Sequence, residues 1–152
     1  MLDLCAARDL RITAAESCTG GKVAAAITEI PGASNSFERG YVTYSNAAKV
    51  EILGVSADTI QNYGAVSEKT VYEMANGALA RAGADIAVAI SGIAGPGGSE
   101  FKPEGRVCFA LASRGHPTQV ETVEYGPIGR SAVRENATAH ALRRMIEAAE
   151  RL

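Results

Sequence analysis

The chain has 152 residues, 47% hydrophobic and 21% charged, a composition that predicts one ordinary globular domain over residues 1–152 rather than a disordered or fibrous chain. Fifteen Lys and Arg against seventeen Asp and Glu leave a formal charge of −2. The positive field that would hold a nucleic acid polymer is therefore missing, although a single phosphate needs only a few arginines and backbone amides.

No apolar run approaches the ~20 residues of a membrane span, and "MLDLCAARDL" lacks the basic start and long apolar core of an export signal. Cys5, Cys18 and Cys108 form neither a disulfide framework nor a zinc pattern, so a reducing, cytoplasmic setting without a metal is expected. Leu2, Cys5, Ala6 and Leu10 recur at roughly helical spacing and predict a first helix ending near Arg8 and Asp9. "RITAAES" predicts a strand, and beyond the glycine pair Val23, Ala24, Ile27 and Ile30 share one helical face. "PGASNSFERG" reads as a loop and "GYVTYS" as a strand. The helix "AAKVEIL" then takes Asn46 as its cap, ends at Gly54 and carries Lys49 in its first turn.

Ser67 is a good N-cap for "EKTVYEMANGALARAG", whose stripe of Val71, Met74, Ala75, Ala78 and Leu79 belongs to the core and which stops at Gly83. "ADIAVAIS" is apolar throughout, as expected of a central strand covered on both faces. Five glycines and two prolines make "GIAGPGGSEFKPEG" a long irregular loop. "RVCFALAS" and "TQVETVEY", joined by "RGHP" with His116 in the turn, predict an antiparallel hairpin. A last helix runs from about Ser131 with Val133, Ala137, Ala141, Met145, Ala148 and Leu152 on one face. The alternation gives a three-layer α/β/α sandwich, and the hairpin makes its mostly parallel sheet mixed. Ligands bind such sheets where loops leave the carboxyl ends of strands, which singles out "ESCTGG", "YSNAAK" and "SGIAGPGG".

Ser17, at a strand end beside the N–H groups of Cys18, Thr19, Gly20 and Gly21, reads either as a helix cap or as a nucleophile next to an oxyanion site. A nucleophile needs a base, and the two histidines, His116 and His140, lie in the hairpin and the last helix. Lys49 is the other base, provided that its amine is neutral, whereas a helical lysine is ordinarily a solvated charge. Cys18 offers a thiol nucleophile or simple packing. "TGGK" fails as a phosphate-binding loop, because Glu16 stands where glycine is required and Val23 where Ser or Thr is required. Arg130 and Arg134, one helical turn apart, and Lys102 are candidates for gripping a phosphate, or ordinary surface charges.

Taken together, "TAAESCTGG", "GYVTYSNAAKVEILGV", "GAVSEKTV" and "AISGIAGPGGSEFKPEGRV" resemble the CinA C-terminal domain family, the nicotinamide-nucleotide amidohydrolases. The resemblance implies a five-stranded sheet ordered 2-1-3-4-5 with strand 4 antiparallel. It also implies hydrolysis of the carboxamide of nicotinamide mononucleotide to nicotinate mononucleotide and ammonia by a serine-lysine dyad, here Ser17 and Lys49, with no cofactor. Thr19, Tyr44 and Asn46 are expected to orient these groups or the ribose, and Ser91, Gly92, Gly95, Lys102, Arg130 and Arg134 to bind substrate. Two departures stand out: Ala47 replaces an acidic residue in the usual "YSNEAK", and Phe101 and Glu104 alter the glycine loop. The competing readings are a non-catalytic nucleotide-binding module and a cysteine-dependent amidase for another small amide. Apolar helix faces would also allow a homo-oligomer.

Overall fold

The computed structural model describes residues 1–152. Its architecture follows from an alternation of side-chain size along the central strands. In β3 (Ile86–Gly92) and β4 (Arg106–Ser113), Ile86, Val88, Ile90, Val107, Phe109 and Leu111 point to one face, and Ala87, Ala89, Cys108, Ala110 and Ala112 to the other. The bulky face is covered by α1 (Leu2–Ala7), α2 (Lys22–Thr28) and α6 (Arg130–Arg151), whose Val133, Ala137, Ala141 and Met145 are buried against it. Each large side chain removed from water there contributes roughly 1.5–3 kcal/mol. The alanine face lets α5 (Glu68–Ala82) lie close to the sheet, its Val71, Met74, Ala75 and Ala78 fully buried, with α3 (Asn46–Leu53) and α4 (Ala57–Tyr63) outside it.

The sheet has five strands in the order β2-β1-β3-β4-β5, where β1 is Ile12–Glu16, β2 Phe37–Val42 and β5 His116–Glu124. β1 runs parallel to both β2 and β3, and β4 is antiparallel to β3 and to β5. The mixed three-layer sandwich and its strand order are therefore as the sequence led us to expect. The carboxyl ends of β1, β2, β3 and β5 share one edge, and the candidate site forms there. No helix is long and apolar enough to cross a membrane.

Three local assignments change and one helix is added. β2 covers Phe37–Val42 rather than Gly40–Ser45, because Phe37–Gly40 pairs with Ile12–Ala14 of β1 across a register shift and the strand stops at Val42. The cap of α3 is Ser45, whose hydroxyl accepts from Ala48 N, and not Asn46, which is the first helical residue. The added helix is α4, over Ala57–Tyr63. His116 opens β5, so the hairpin turn is the shorter Arg114–Gly115.

The crossing of α3 and α5 depends on Gly77. A Cβ at that position would stand 2.0 Å from the Leu53 carbonyl oxygen, an atom of backbone that no rotamer change can move away. Gly77→Ala is therefore expected to destabilise the fold by about 2–3 kcal/mol despite alanine's better helix propensity. Thermal unfolding checks this, and an unchanged or raised Tm would refute it.

Candidate active site

Ser17 follows the last residue of β1, the strand held between β2 and β3. Its backbone N–H still donates into the sheet, to Ile90 O at 3.0 Å, so the side chain starts from a fixed point. The chain then turns through Gly20 and Gly21, both with positive φ (60° and 98°), a conformation that side chains with a Cβ rarely adopt. Glu16 holds the turn from inside. Its carboxylate is fully buried and accepts from Gly21 N (3.0 Å), Val23 N (3.1 Å) and Ala24 N (2.9 Å), satisfying the open N–H groups at the start of α2. Replacing it by glutamine turns one acceptor oxygen into an amide donor that faces those N–H groups. We expect Glu16→Gln to cost about 2 kcal/mol in chemical denaturation, and a loss below 0.5 kcal/mol would contradict that role.

Lys49 sits in the first turn of α3 and is only 1% exposed. Its Nζ lies 3.0 Å from Ser17 Oγ and donates to the carbonyls of Thr43 (2.8 Å) and Tyr44 (3.3 Å). Burial pushes the ammonium's pKa below its ordinary value, and no carboxylate is among its partners to reverse that. A neutral amine has two N–H bonds, and both have a carbonyl to meet. Its lone pair is then left for the Ser17 hydroxyl proton. With Ala47 in place of an acidic residue, removal from water is what lowers this lysine's pKa.

Cys18 is next to Ser17 and 5% exposed, and burial pushes its thiol pKa up to about 11. It remains a protonated thiol at neutral pH. Neither histidine comes near: His140 packs on Phe109 with ring centres 4.5 Å apart and meets Glu121, and His116 is on the far hairpin.

Ser17, Lys49, Tyr44, Ser91, Gly92 and Arg130 line one cavity of about 210 Å³, closed on its apolar side by Cys18, Ala65, Val66 and Ala94. Ser91 Oγ donates to Ala65 O at 2.8 Å, tying the end of β3 to the connection before α5. Gly92 brings β3 close to β4, where a Cβ would fall 2.7 Å from Val107 Cγ2. Arg130 stands at the mouth, its Nη1 donating to Gly95 O (2.8 Å) and its Nη2 to the exposed Tyr44 hydroxyl (3.1 Å). A larger neighbouring cavity of about 460 Å³ shares Ala65 and Val66, but its one charged residue is Lys102.

Several expected site residues lie elsewhere or do something else. Lys102 is outside the Ser17 cavity, and its amine is spent on the carbonyls of Tyr63 (2.7 Å) and Val66, which pins the glycine loop to the end of α4. Arg134 is not in the cavity wall; its Nε and Nη2 donate to the carbonyls of Cys18 (3.0 Å) and Thr19 (3.1 Å). Asn46 is exposed and its side chain makes no hydrogen bond in the chain. The N–H of Gly20 goes to Ser17 O and that of Gly21 to Glu16, whereas those of Cys18 and Thr19 donate to no atom of the chain. Thr19 itself is wholly buried with an unpaired hydroxyl. The contributions of Thr43 and Ala65 come through main-chain carbonyls, which no residue type announces.

A "CinA-like protein" of Akkermansia muciniphila is 51% identical over 144 residues, covering 94% of this chain but 34% of that protein. This chain therefore spans about a third of that relative's length. The "Nicotinamide-nucleotide amidohydrolase PncC" of Escherichia coli K12 is 56% identical over 138 residues, covering 90% of this chain and 82% of that one. Among solved structures, the competence/damage inducible protein CihA from Agrobacterium tumefaciens superposes with a TM-score of 0.94 at 44% identity, over 97% of this chain and 90% of that one. The model of the CinA C-terminal domain matches residues 1–149, and the chain belongs to that family.

Proposed function

We propose that the domain hydrolyses the carboxamide of nicotinamide mononucleotide to nicotinate mononucleotide and ammonia, with Ser17 as nucleophile and Lys49 as its base. The observation that carries this reading is the buried contact of 3.0 Å between Lys49 Nζ and Ser17 Oγ, with the carbonyls of Thr43 and Tyr44 within reach of the amine's hydrogens. The name of the E. coli relative, similar over nine-tenths of this chain, supports the choice of substrate.

Lys49 takes the hydroxyl proton as Ser17 Oγ forms a bond to the carboxamide carbon, and the carbonyl oxygen becomes the oxyanion of a tetrahedral intermediate. The free N–H groups of Cys18 and Thr19 stabilise that oxyanion, where loss of a single donor elsewhere costs about 2.7–4 kcal/mol. The Lys49 ammonium returns its proton to the departing nitrogen, the C–N bond breaks and ammonia leaves. Water, deprotonated by the regenerated amine, then cleaves the ester and frees Ser17. The cavity is smaller than the roughly 300–1,000 Å³ usual for ligand sites. It accommodates the carboxamide and its ring, and the sugar phosphate extends past the mouth to Arg130.

Ammonia release from nicotinamide mononucleotide, with nicotinamide and nicotinamide riboside as parallel substrates, tests the reading. The mononucleotide should have the highest kcat/KM. Absence of turnover, or faster hydrolysis of free nicotinamide, would refute it.

A further inference from the structure

Resting on the amidohydrolase reading above, we propose that Arg134 is a positioning residue for acyl transfer, acting through the peptide unit that carries the Thr19 N–H and not through the substrate. The turn after β1 distributes its hydrogen bonds unevenly. The N–H groups of Cys18 and Thr19 donate to no atom of the chain. The carbonyls of the same two peptide units are both engaged: Ser17 O accepts from Gly20 N at 3.0 Å, and Cys18 O accepts from Arg134 Nε at 3.0 Å.

A peptide group whose oxygen accepts a hydrogen bond is polarised, and its N–H becomes the stronger donor. The effect is larger when the bond comes from a cation. Both free N–H groups therefore belong to polarised peptides, and the Thr19 unit is polarised by a full positive charge. Arg134 Nη2 also donates to Thr19 O at 3.1 Å, so the guanidinium spans two successive peptide planes and fixes their relative orientation. Its planar fork suits that task and an ammonium does not. A Cβ at Gly20 would approach Nη2 to 3.3 Å, so a glycine here leaves room for the fork. The two arginines at the start of α6 thus have separate duties: Arg130 faces the cavity mouth, and Arg134 braces the nucleophile's turn from behind.

The test compares wild type, Arg134→Gln and Arg134→Lys in two assays: ammonia release from nicotinamide mononucleotide, and acetylation of Ser17 by p-nitrophenyl acetate, read by mass on the Ser17 peptide. A donor used at the tetrahedral stage acts on kcat. We expect Arg134→Gln to lower kcat about 10–100-fold, less than the 10²–10³ of a deleted oxyanion donor, with KM changed less than about threefold. Ser17 acetylation should slow by a similar factor, Arg134→Lys should fall in between, and ethylguanidinium should restore part of the kcat of Arg134→Ala.

A phosphate-gripping arginine would instead raise KM for the mononucleotide with kcat kept and would leave acetylation, whose reagent has no phosphate, unaffected; that result overturns the proposal. So does a variant that loses only Tm and regains full kcat on cooling. If Arg134→Gln does not fold, full activity in Arg134→Lys overturns it equally. A wild type that is acetylated at Ser17 but releases no ammonia from the mononucleotide refutes the substrate reading alone, and the acetylation ratio then decides Arg134. No acetylation of the wild type overturns both.

Discussion

Replacing Ser17 by alanine is expected to lower ammonia release from nicotinamide mononucleotide by at least about a thousandfold, because nucleophile and base act as a unit and neither functions alone. Cys18→Ala, one residue along, should keep activity within about threefold. The contrast follows from burial acting on two neighbouring groups. A thiol pushed up to about 11 is ionised in only about one molecule in 10⁴ at pH 7, and the Lys49 amine stands against Ser17 Oγ. If Cys18→Ala abolished turnover and Ser17→Ala did not, the cysteine reading would replace the serine one.

The second large effect concerns Lys49. As a base it works only when neutral, so kcat/KM should rise with pH, about tenfold per unit at the acid end, and level off once the amine is deprotonated. Burial lowers the pKa, which places the midpoint of that rise below the ordinary 10.5. Lys49→Gln should lose the rise together with at least about a thousandfold of activity. Stability carries the same signature. Between the folded pKa and the unfolded value near ~10.4, the unfolded chain binds more protons at this residue, so the lysine's contribution to stability grows as pH rises through that window. A kcat/KM that is flat with pH, or that falls as pH rises from neutrality, would contradict the role of base.

What the sequence discloses about the site depends on whether a residue acts through its neighbours in the chain. The turn "ESCTGG" is legible because a strand, a serine and two glycines are contiguous, and the alternation of β1, β2 and β3 with helices places it at a sheet edge. Lys49 is legible as a first-turn residue of α3 but not as a buried one, since the partners of its amine, Ser17 Oγ and the carbonyls of Thr43 and Tyr44, are brought to it by the fold. Arg134 is the sharper case. Its partner Cys18 lies 116 positions away and offers a main-chain carbonyl, so the spacing to Arg130 suggested a phosphate clamp where the fold makes a brace. Lys102 misleads in the same way, with the carbonyls of Tyr63 and Val66 as its partners.

The pieces of the fold that only the structure discloses have related causes. Ser45 and Asn46 are both favoured caps, and a one-residue difference in where α3 begins decides between them. Phe37–Gly40 carries charge and glycine and becomes a strand only through pairing with β1. In α4 the half-buried Ile60 is the one strong apolar residue before Tyr63, too little for a stripe.

The most direct measurement is acid quenching of the wild type during turnover of nicotinamide mononucleotide, followed by mass analysis of the intact chain and its peptides. An adduct equal to the substrate less ammonia should appear on the peptide containing Ser17, with fragmentation placing it on the serine, and should be absent from Ser17→Ala. An adduct on Cys18, or formation of the same adduct by Ser17→Ala, would contradict the account.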